Sequence, residues 1–310
     1  GLCFFNPTHA GTVEKQALLT NRYQSASGRL PLFISLDAEW GLGMRLRETT
    51  ISYPRQMMLG AMSDHQMIYE MGLELARQFR RVGVNISFSP SADINNNAAN
   101  PVINERSFGE NRANVAAKCF QYMKGLQDGG VMACAKHFPG HGDTNVDSHY
   151  DLPLIPHDRH RLDSLELYPF RVLVEQGVGS FMVAHLSVPA LDAREKRPTT
   201  LSRPVISDLL RNTLGFEGLI FTDAMEMKGV TKYYAPGEAD VEALRAGNDM
   251  VLLPESIEAA IAAVKKALTE GSLSALEIET SVRRVLHQKY RLGLTRPQMV
   301  DMKNLRQELN

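Results

Sequence analysis

The densest group of chemically versatile side chains lies in one stretch of fourteen residues, 136–149. It reads Lys136-His-Phe-Pro-Gly-His-Gly-Asp-Thr-Asn-Val-Asp-Ser-His149. The Pro-Gly and His-Gly steps interrupt regular structure, so most of the stretch must be a loop, and loops on a rigid scaffold often carry catalytic and binding groups. Its three histidines and two aspartates suggest two kinds of chemistry, metal coordination and proton transfer.

The first reading is a metal site in which His137, His141 and His149 supply nitrogen ligands to zinc. Pro139 and Gly140 prevent a helix that would present His137 and His141 on one face, so the spacing is not that of a known zinc motif. We therefore expect no bound metal. A metal-dependent hydrolase that uses these histidines remains an alternative function.

The second reading is acid/base catalysis by Asp147 and His149, which lie two residues apart. A carboxylate can accept a hydrogen bond from one imidazole nitrogen and thereby orient the other nitrogen toward a substrate. An imidazole with an ordinary pKa of about 6.5 donates and retrieves a proton near neutral pH. The structural alternative is a histidine that only holds the loop in place.

A second feature is the apolar run 219–222, which ends in a carboxylate, Asp223. We expect the cations Lys136 and Arg106 to lie beside this carboxylate and keep it ionised. An ionised aspartate at the end of a buried strand is a candidate nucleophile. The alternative is that Asp223 caps the N-terminus of the next helix.

Further polar side chains suit a carbohydrate ligand. Asp37, Arg45 and Arg106 supply the planar donors and acceptors that bind sugar hydroxyls. Trp40, the single tryptophan, could flank a sugar ring or simply pack. We expect Asp93 to organise its own loop by bonding nearby backbone groups.

Seven apolar runs of β type alternate with segments of helical period, a pattern typical of βα units around a parallel sheet. The predicted strands are 2–5, 32–36, 84–88, 131–136, 180–184, 219–222 and 250–253. The predicted helices are 64–81, 112–128, 161–176, 204–213, 238–246, 256–269 and 274–291.

The polar side chains named above lie at or just beyond the carboxyl ends of these strands. In a (β/α)₈ TIM-type barrel those ends converge on one mouth, whereas an open doubly wound sheet would spread them along an edge. We therefore predict an α/β barrel. Because the sequence opens inside an apolar run, we expect the first strand of the barrel to be lacking, upstream of Gly1. The predicted catalytic barrel domain spans 1–294, and 295–310 form a C-terminal tail or linker.

The overall charge and hydropathy exclude several classes of protein. Lys and Arg number 34 and Asp and Glu 35, a formal charge of −1, which gives no electrostatic basis for binding nucleic acid. The apolar runs fall short of the ~20 residues needed to span a bilayer. We expect no nucleic-acid partner, no membrane span and no cofactor. The three cysteines lie in apolar segments and are predicted to be free thiols.

The stretch 136–149 resembles the signature of the β-N-acetylglucosaminidases of glycoside hydrolase family 3. Phe221-Thr-Asp-Ala-Met225 resembles that family's nucleophile strand, and Asp37 with Arg45, followed by Asn104-Glu-Arg-Ser-Phe108, match its sugar-binding positions in order. The similarity runs from residue 2 to about 294. Many relatives have Asp-Gln-Glu-Gly-Gly where this chain has Asp37-Ala-Glu-Trp-Gly-Leu-Gly43, so the preference for the leaving group stays open.

The resemblance implies a retaining β-N-acetylhexosaminidase in which Asp223 forms a covalent glycosyl-enzyme. His149, oriented by Asp147, would be the general acid and then the general base. The residues that would hold the N-acetylglucosamine ring are Asp37, Arg45, Arg106, Lys136 and His137. A family 3 β-glucosidase of other sugar specificity and a non-catalytic sugar-binding barrel are the alternatives.

The resemblance also points to small carbohydrate substrates, namely N-acetylglucosaminyl glycosides and muropeptides of peptidoglycan turnover. It leaves open whether water or phosphate is the acceptor. The compartment is equally open between the bacterial cytoplasm and the periplasm or cell envelope, as is the question whether the chain is one module of a longer multidomain protein.

Overall fold

A computed structural model describes residues 1–4 and 11–309 of the chain. In this part of the molecule, seven parallel strands form one sheet in which neighbours follow chain order. The strands are β1 (Leu2–Phe4), β2 (Ile34–Leu36), β3 (Ile86–Ser87), β4 (Met132–Phe138), β5 (Ser180–Val183), β6 (Leu219–Ala224) and β7 (Met250–Leu252). All seven predicted strands are confirmed, although Phe5, at the end of the first prediction, lies outside the described residues.

The sheet is curled into a barrel wall. The rings of Phe88, just after β3, and Phe221 in β6 meet edge to face with centroids 5.5 Å apart, although strands three places apart in a flat sheet would be separated by about 14 Å. The two edges also approach each other, since a Cβ atom placed on Gly1 would lie 3.9 Å from the Met250 side chain. Because the strand order never reverses, the sheet has no doubly wound switch point. The fold is therefore the predicted α/β TIM-type barrel.

Helices cover the outside of the sheet. They are α1 (Val13–Ala26), α2 (Gln56–Gly60), α3 (Gln66–Arg81), α4 (Arg112–Asp128), α5 (Arg159–Ser164), α6 (Tyr168–Glu175), α7 (Lys228–Thr231), α8 (Glu238–Ala246), α9 (Ile257–Thr269), α10 (Ala275–Arg291) and α11 (Leu305–Leu309), with a π-helix at Pro204–Thr213. The part of the chain that the structure describes includes no helix long and apolar enough to cross a membrane.

The single helix predicted over 161–176 is wrong, because the structure has two helices there, α5 and α6. Pro169 lies in the first turn of α6. A proline is tolerated in the first turn of a helix, whereas in the interior its ring would clash with the carbonyl four residues earlier. The chain therefore ends one helix before Pro169 and begins another. Helix α1 was not predicted, although Thr12 caps it by accepting the Lys15 N–H.

Alternation along the strands explains where the site lies. One face of each strand contributes to the apolar filling of the barrel, for example Met132 and Cys134 of β4 and Phe221 of β6. Since side chains alternate along a strand, the next inward position of β4 is Lys136 and that of β6 is Asp223. The same alternation relates Ser35 in β2 to Asp37, which lies just after the end of that strand. The interior thus changes from apolar to charged at the carboxyl ends of the strands.

The last residues pack on the barrel. Leu305 and Leu309 of α11 belong to the main core. Arg306 pairs with Glu14 of α1 at 3.0 Å. The segment predicted as a tail or linker is thus folded against the barrel over its described residues. Cys119 and Cys134 are buried free thiols, and Cys3 is a half-buried one.

Candidate active site

A cluster of opposite charges lies at the mouth of the barrel, between β2 and β4. Lys136 Nζ is 2.6 Å from Asp37 Oδ1 and 2.9 Å from Glu39 Oε1. Arg45 Nη2 contacts the other oxygen of Asp37 at 2.5 Å. Arg106 completes this charge cluster of Asp37, Glu39, Arg45, Arg106 and Lys136. Because each buried charge has an opposite partner, the cluster stays ionised at the end of an apolar barrel.

Glu39 is the member that sequence reasoning missed. Its side chain is 0% exposed, and its carboxylate accepts hydrogen bonds from Arg106 Nη2 at 2.6 Å and from Arg106 Nε at 3.0 Å. Burial opposes ionisation of Glu39, but the charges of Arg106 and Lys136 outweigh it and hold its pKa well below the usual range. Two signals could have revealed it. Glu39 lies two residues after Asp37, and three cations nearby require more than one carboxylate.

Asp93 organises the next part of the mouth, but it binds mainly the distant residues His137 and His141 and not, as predicted, the backbone of its own loop. Its carboxylate accepts the ring Nδ1–H of His137 at 2.7 Å, the backbone N–H of His141 at 2.7 Å and the hydroxyl of Ser91 at 2.9 Å. His137 Nε2 lies 3.4 Å from Arg106 Nη2. A guanidinium only donates, so Nε2 accepts and Nδ1 carries the proton given to Asp93. This fixes the His137 ring beside the charge cluster.

Asp223 is half-buried at the mouth end of β6. Its Oδ1 accepts the backbone N–H of Ala224 at 2.8 Å. Burial opposes ionisation, but the nearby imidazoles of His185 and His137 and this N–H lower the pKa of Asp223. The strand continues through Ala224 and the next helix, α7, is capped by Met227. Asp223 is therefore not a helix cap.

The predicted partners of Asp223 are wrong in part. Arg106 bonds Glu39, and Lys136 divides its bonds between Asp37 and Glu39. These two cations were predicted to pair with Asp223 because the sequence did not show that Glu39 would compete for them. Lys136 still contributes a weaker electrostatic effect on Asp223.

The loop after β4, residues 139–151, carries an imidazole and carboxylate pair. Asp147 Oδ1 lies 2.7 Å from His149 Nδ1 and accepts the backbone N–H of the same residue at 2.9 Å. The His149 side chain is 63% exposed. Since the carboxylate occupies Nδ1, the other ring nitrogen is the one available to a ligand.

This β4 loop is anchored to the segment that follows Asp223. The Gly229 N–H donates to the Ser148 carbonyl at 3.0 Å, and Asp151 accepts the Tyr233 hydroxyl at 2.9 Å. A Cβ atom on Gly229 would lie 3.2 Å from that Ser148 oxygen and 3.3 Å from His185 Cβ. His185, in turn, lies against the carbonyl after Asp223, with its Nε2 2.9 Å from Ala224 O. Asp223 and the Asp147–His149 pair therefore occupy the same side of the mouth.

Comparisons with known proteins identify the family to which the chain belongs. The family model described as the glycosyl hydrolase family 3 N terminal domain matches residues 5–288. The chain belongs to glycosyl hydrolase family 3. Among curated relatives, beta-hexosaminidase A of Pseudoalteromonas piscicida is 36% identical over 301 residues, which cover 88% of this chain and 50% of that protein. Beta-hexosaminidase LpqI of Mycobacterium tuberculosis is 34% identical over 277 residues, 86% of this chain and 70% of that protein.

A solved family 3 structure superposes closely. The glycoside hydrolase family 3 beta-N-acetylglucosaminidase from Paenibacillus sp. str. FPU-7 gives a TM-score of 0.90 at 37% identity, covering 99% of this chain and 61% of that one. This family 3 chain thus spans about half the length of the Pseudoalteromonas relative. The similarity confirms the predicted family and the barrel fold.

The alternative of a metal site on the three histidines is not favoured by the geometry of this family 3 barrel. The Arg106 guanidinium lies 3.4 Å from His137 Nε2, and its charge opposes a bound cation there. Both ring nitrogens of His141 face hydroxyl groups. Within residues 1–4 and 11–309, the group with donor atoms near enough to share an ion is Asp143, His157 and Glu166. There the guanidinium of Arg161 lies 3.1 Å from Glu166 and 3.8 Å from Asp143, a positive charge that opposes a bound cation.

Proposed function

We propose that the chain hydrolyses terminal β-linked N-acetylglucosamine with net retention at the anomeric carbon. The observation that carries this proposal is that the Asp223 carboxylate and the exposed imidazole of His149 lie on the same side of the barrel mouth. Membership of family 3 supports the reaction class, and the names of the relatives, beta-hexosaminidase and beta-N-acetylglucosaminidase, support the sugar.

In the first step, an oxygen of Asp223 forms a bond to C1 as the bond from C1 to the leaving oxygen breaks. A nucleophile must be ionised at the working pH, and the lowered pKa of Asp223 supports this role. The proton for the leaving oxygen comes from His149 Nε2, because Asp147 occupies Nδ1.

In the second step, water attacks C1 and the bond from C1 to Asp223 breaks. Neutral His149 accepts the proton of that water and regains its starting state. Two inversions at C1 give net retention. Retaining glycosidases ordinarily use a second carboxylic acid as the acid/base group, whereas the proposal gives that role to an imidazole paired with Asp147.

The charge cluster and His137 supply the groups that would hold the sugar ring. Asp37, Arg45, Arg106, Lys136 and His137 are proposed to bind its hydroxyls and amide. Glu39 has a different proposed role. Since both its bound cations, Lys136 and Arg106, are sugar-binding candidates, Glu39 would fix their positions rather than contact the sugar.

We further propose peptidoglycan fragments as the substrate class, with N-acetylglucosamine linked to N-acetylmuramic or anhydromuramic acid. This finer assignment rests on the resemblance to the peptidoglycan-recycling branch of the family. Parallel rates with such a disaccharide and with chitobiose test it. A higher kcat/KM for chitobiose would contradict the peptidoglycan assignment and leave the glycosidase in place.

The reaction itself is tested with a nitrophenyl β-N-acetylglucosaminide. We expect release of nitrophenol, β-N-acetylglucosamine as the first anomer seen by NMR, and full activity in the presence of a chelator. A fluorosugar inactivator should add the mass of one sugar to the peptide containing Asp223. Release of the α anomer first, or inactivation without mass on Asp223, contradicts the proposal. Loss of activity in chelator would instead favour the metal-dependent alternative.

A further inference from the structure

His141 is a buried histidine of the β4 loop that the proposed mechanism does not use. It is 1% exposed. Both ring nitrogens face hydroxyls of the same loop. Nδ1 lies 2.8 Å from Thr144 Oγ1 and Nε2 lies 3.4 Å from Ser148 Oγ. A buried side chain with a bond at each end fixes the distance between the two groups that it joins.

The His141 ring is neutral near neutral pH. Burial, with a further contribution from the nearby His137 imidazole, lowers the pKa of His141 to about 4. A neutral imidazole offers one donor and one acceptor, and a hydroxyl takes either role. Both bonds therefore form in either tautomer, and the ring joins Thr144 to Ser148 without a buried charge.

Ser148 connects this bridge to the proposed acid/base pair. Ser148 lies between Asp147 and His149, the proposed acid/base pair. Its hydroxyl faces His141 and its carbonyl accepts the Gly229 N–H at 3.0 Å. The loop is thus held from two sides at the residue that joins the pair.

The backbone of His141 is held from the sugar-binding side of the mouth. Asp93 accepts the His141 backbone N–H and the His137 ring N–H, both at 2.7 Å. One buried carboxylate therefore sets the position of a proposed sugar ligand, His137, and of the residue that holds the β4 loop. The acid/base pair is linked in this way to His137, the proposed sugar ligand.

We propose that His141 is a positioning residue that holds the β4 loop through Ser148, so that His149 reaches the glycosidic oxygen of a sugar bound at His137. This inference rests on the proposed function. Displacement of a catalytic group by about 1 Å costs roughly 10²-fold in rate. Loss of the bridge should therefore weaken proton donation to the leaving group more than the attack by Asp223.

Leaving groups of different basicity test this distinction. A phenyl glycoside needs the acid to protonate its oxygen, whereas 2,4-dinitrophenolate leaves without that help. We compare kcat/KM for both N-acetylglucosaminides, because kcat/KM reports formation of the glycosyl-enzyme. His141→Asn, whose side chain cannot reach Ser148, should lose roughly 30-fold to 100-fold on the phenyl glycoside and less than about 3-fold on the dinitrophenyl glycoside. His141→Gln, which extends further toward Ser148, should recover part of the loss.

Ser148→Ala removes the same hydrogen bond by changing its other partner. The comparison of the two glycosides can therefore still be made where His141→Asn does not fold. The double variant should lose no more than the larger single loss, since both changes break one interaction. Ser180→Ala is the matched control. Its buried hydroxyl bonds Ala133 O in the barrel wall at 2.9 Å, so any loss should be equal for the two glycosides.

Equal losses on the two glycosides for His141→Asn and Ser148→Ala, in an active wild type, would overturn the positioning role and leave the proposed function standing. A wild-type protein that cleaves neither glycoside would overturn the proposed function and this inference together.

Discussion

The charge cluster and the β4 loop sit at the same mouth but are built differently. In the charge cluster, Lys136 is 2% exposed and Glu39 is 0% exposed, and each is held by opposite charges. In the β4 loop, His149 is 63% exposed and has one carboxylate partner, Asp147. The cluster follows buried strands, whereas the pair lies in a loop and its imidazole is exposed. The difference indicates a division between groups that must stay fixed and a group that must donate and regain a proton.

This contrast has a thermodynamic consequence. Removing one partner of a buried ion pair leaves an uncompensated charge and destabilises the fold. Removing an exposed loop side chain changes stability little. Substitutions in the charge cluster should therefore affect both folding and sugar binding, and substitutions of the loop pair should affect the reaction alone. Asp223 belongs to neither region and has the largest expected effect on rate.

Asp223→Ala should lower kcat by about 10⁴-fold or more, because no other group is proposed to form the bond to C1. Release of nitrophenol from the nitrophenyl glycoside measures the loss. The melting temperature of the variant is the control, since it separates lost chemistry from lost folding. A variant that keeps more than a tenth of wild-type activity would show that Asp223 is not the nucleophile.

His149→Ala should lower kcat/KM on the phenyl glycoside by roughly 10²-fold to 10³-fold, the usual contribution of a general acid. Because the side chain is exposed, the free energy of unfolding should change by less than about 0.5 kcal/mol. Enzyme kinetics and urea unfolding on the same preparation check both parts. A fall in stability comparable to that of a charge-cluster variant would remove the contrast between the two regions.

Glu39→Gln should destabilise the fold by about 3 kcal/mol, since Arg106 and Lys136 lose a buried partner. It should also raise KM more than it lowers kcat, because the two cations are proposed to bind the sugar. The matched control is Glu277→Gln, which breaks the exposed pair with Arg203 at 3.0 Å and should cost less than about 0.5 kcal/mol. Equal losses in the two variants would contradict the account of the cluster.

The charge cluster also predicts a smaller, graded effect of acid on stability. Burial opposes ionisation of Glu39 and Asp37, but neighbouring cations outweigh it and lower the pKa of each carboxyl. Unfolded carboxyls have pKa values of about 4, so the stability these two groups contribute is complete above that pH and is lost as the pH falls below it. Urea unfolding between pH 7 and pH 3 should show this fall, and Glu39→Gln should show a shallower one. If the free energy of unfolding of Glu39→Gln fell with pH as steeply as that of the wild type, Glu39 would be excluded as a source of the loss of stability in acid.

Much of the fold was readable from the sequence because buried parallel strands are continuous apolar runs. The positions of the charged residues at the strand ends could be predicted for the same reason, since Lys136 and Asp223 each follow such a run. The break before Pro169 was missed because the hydrophobic period continues through it. Helix α1 was missed because its apolar stripe is weak, and its capping residue, Thr12, lies next to a segment without a clear pattern.

The pairing of side chains could not be read in the same way. Glu39 and Arg106 are 67 residues apart, and Asp93 and His137 are 44 apart. Such contacts depend on how neighbouring strands are aligned, which composition and spacing do not determine. The Asp147–His149 pair was predictable because it is local. The partners assigned to Asp223 were wrong because the competing carboxylate, Glu39, had not been recognised.

The central claim is that Asp223 and His149 act on opposite faces of the anomeric carbon. Azide added to each alanine variant with the dinitrophenyl glycoside tests it directly, because azide replaces the missing carboxylate in one variant and, needing no general base, replaces water in the other. In Asp223→Ala, azide should attack from the nucleophile's face and give the α-glycosyl azide. In His149→Ala, it should attack the glycosyl-enzyme from the other face and give the β-glycosyl azide. The same anomer from both variants would contradict the account.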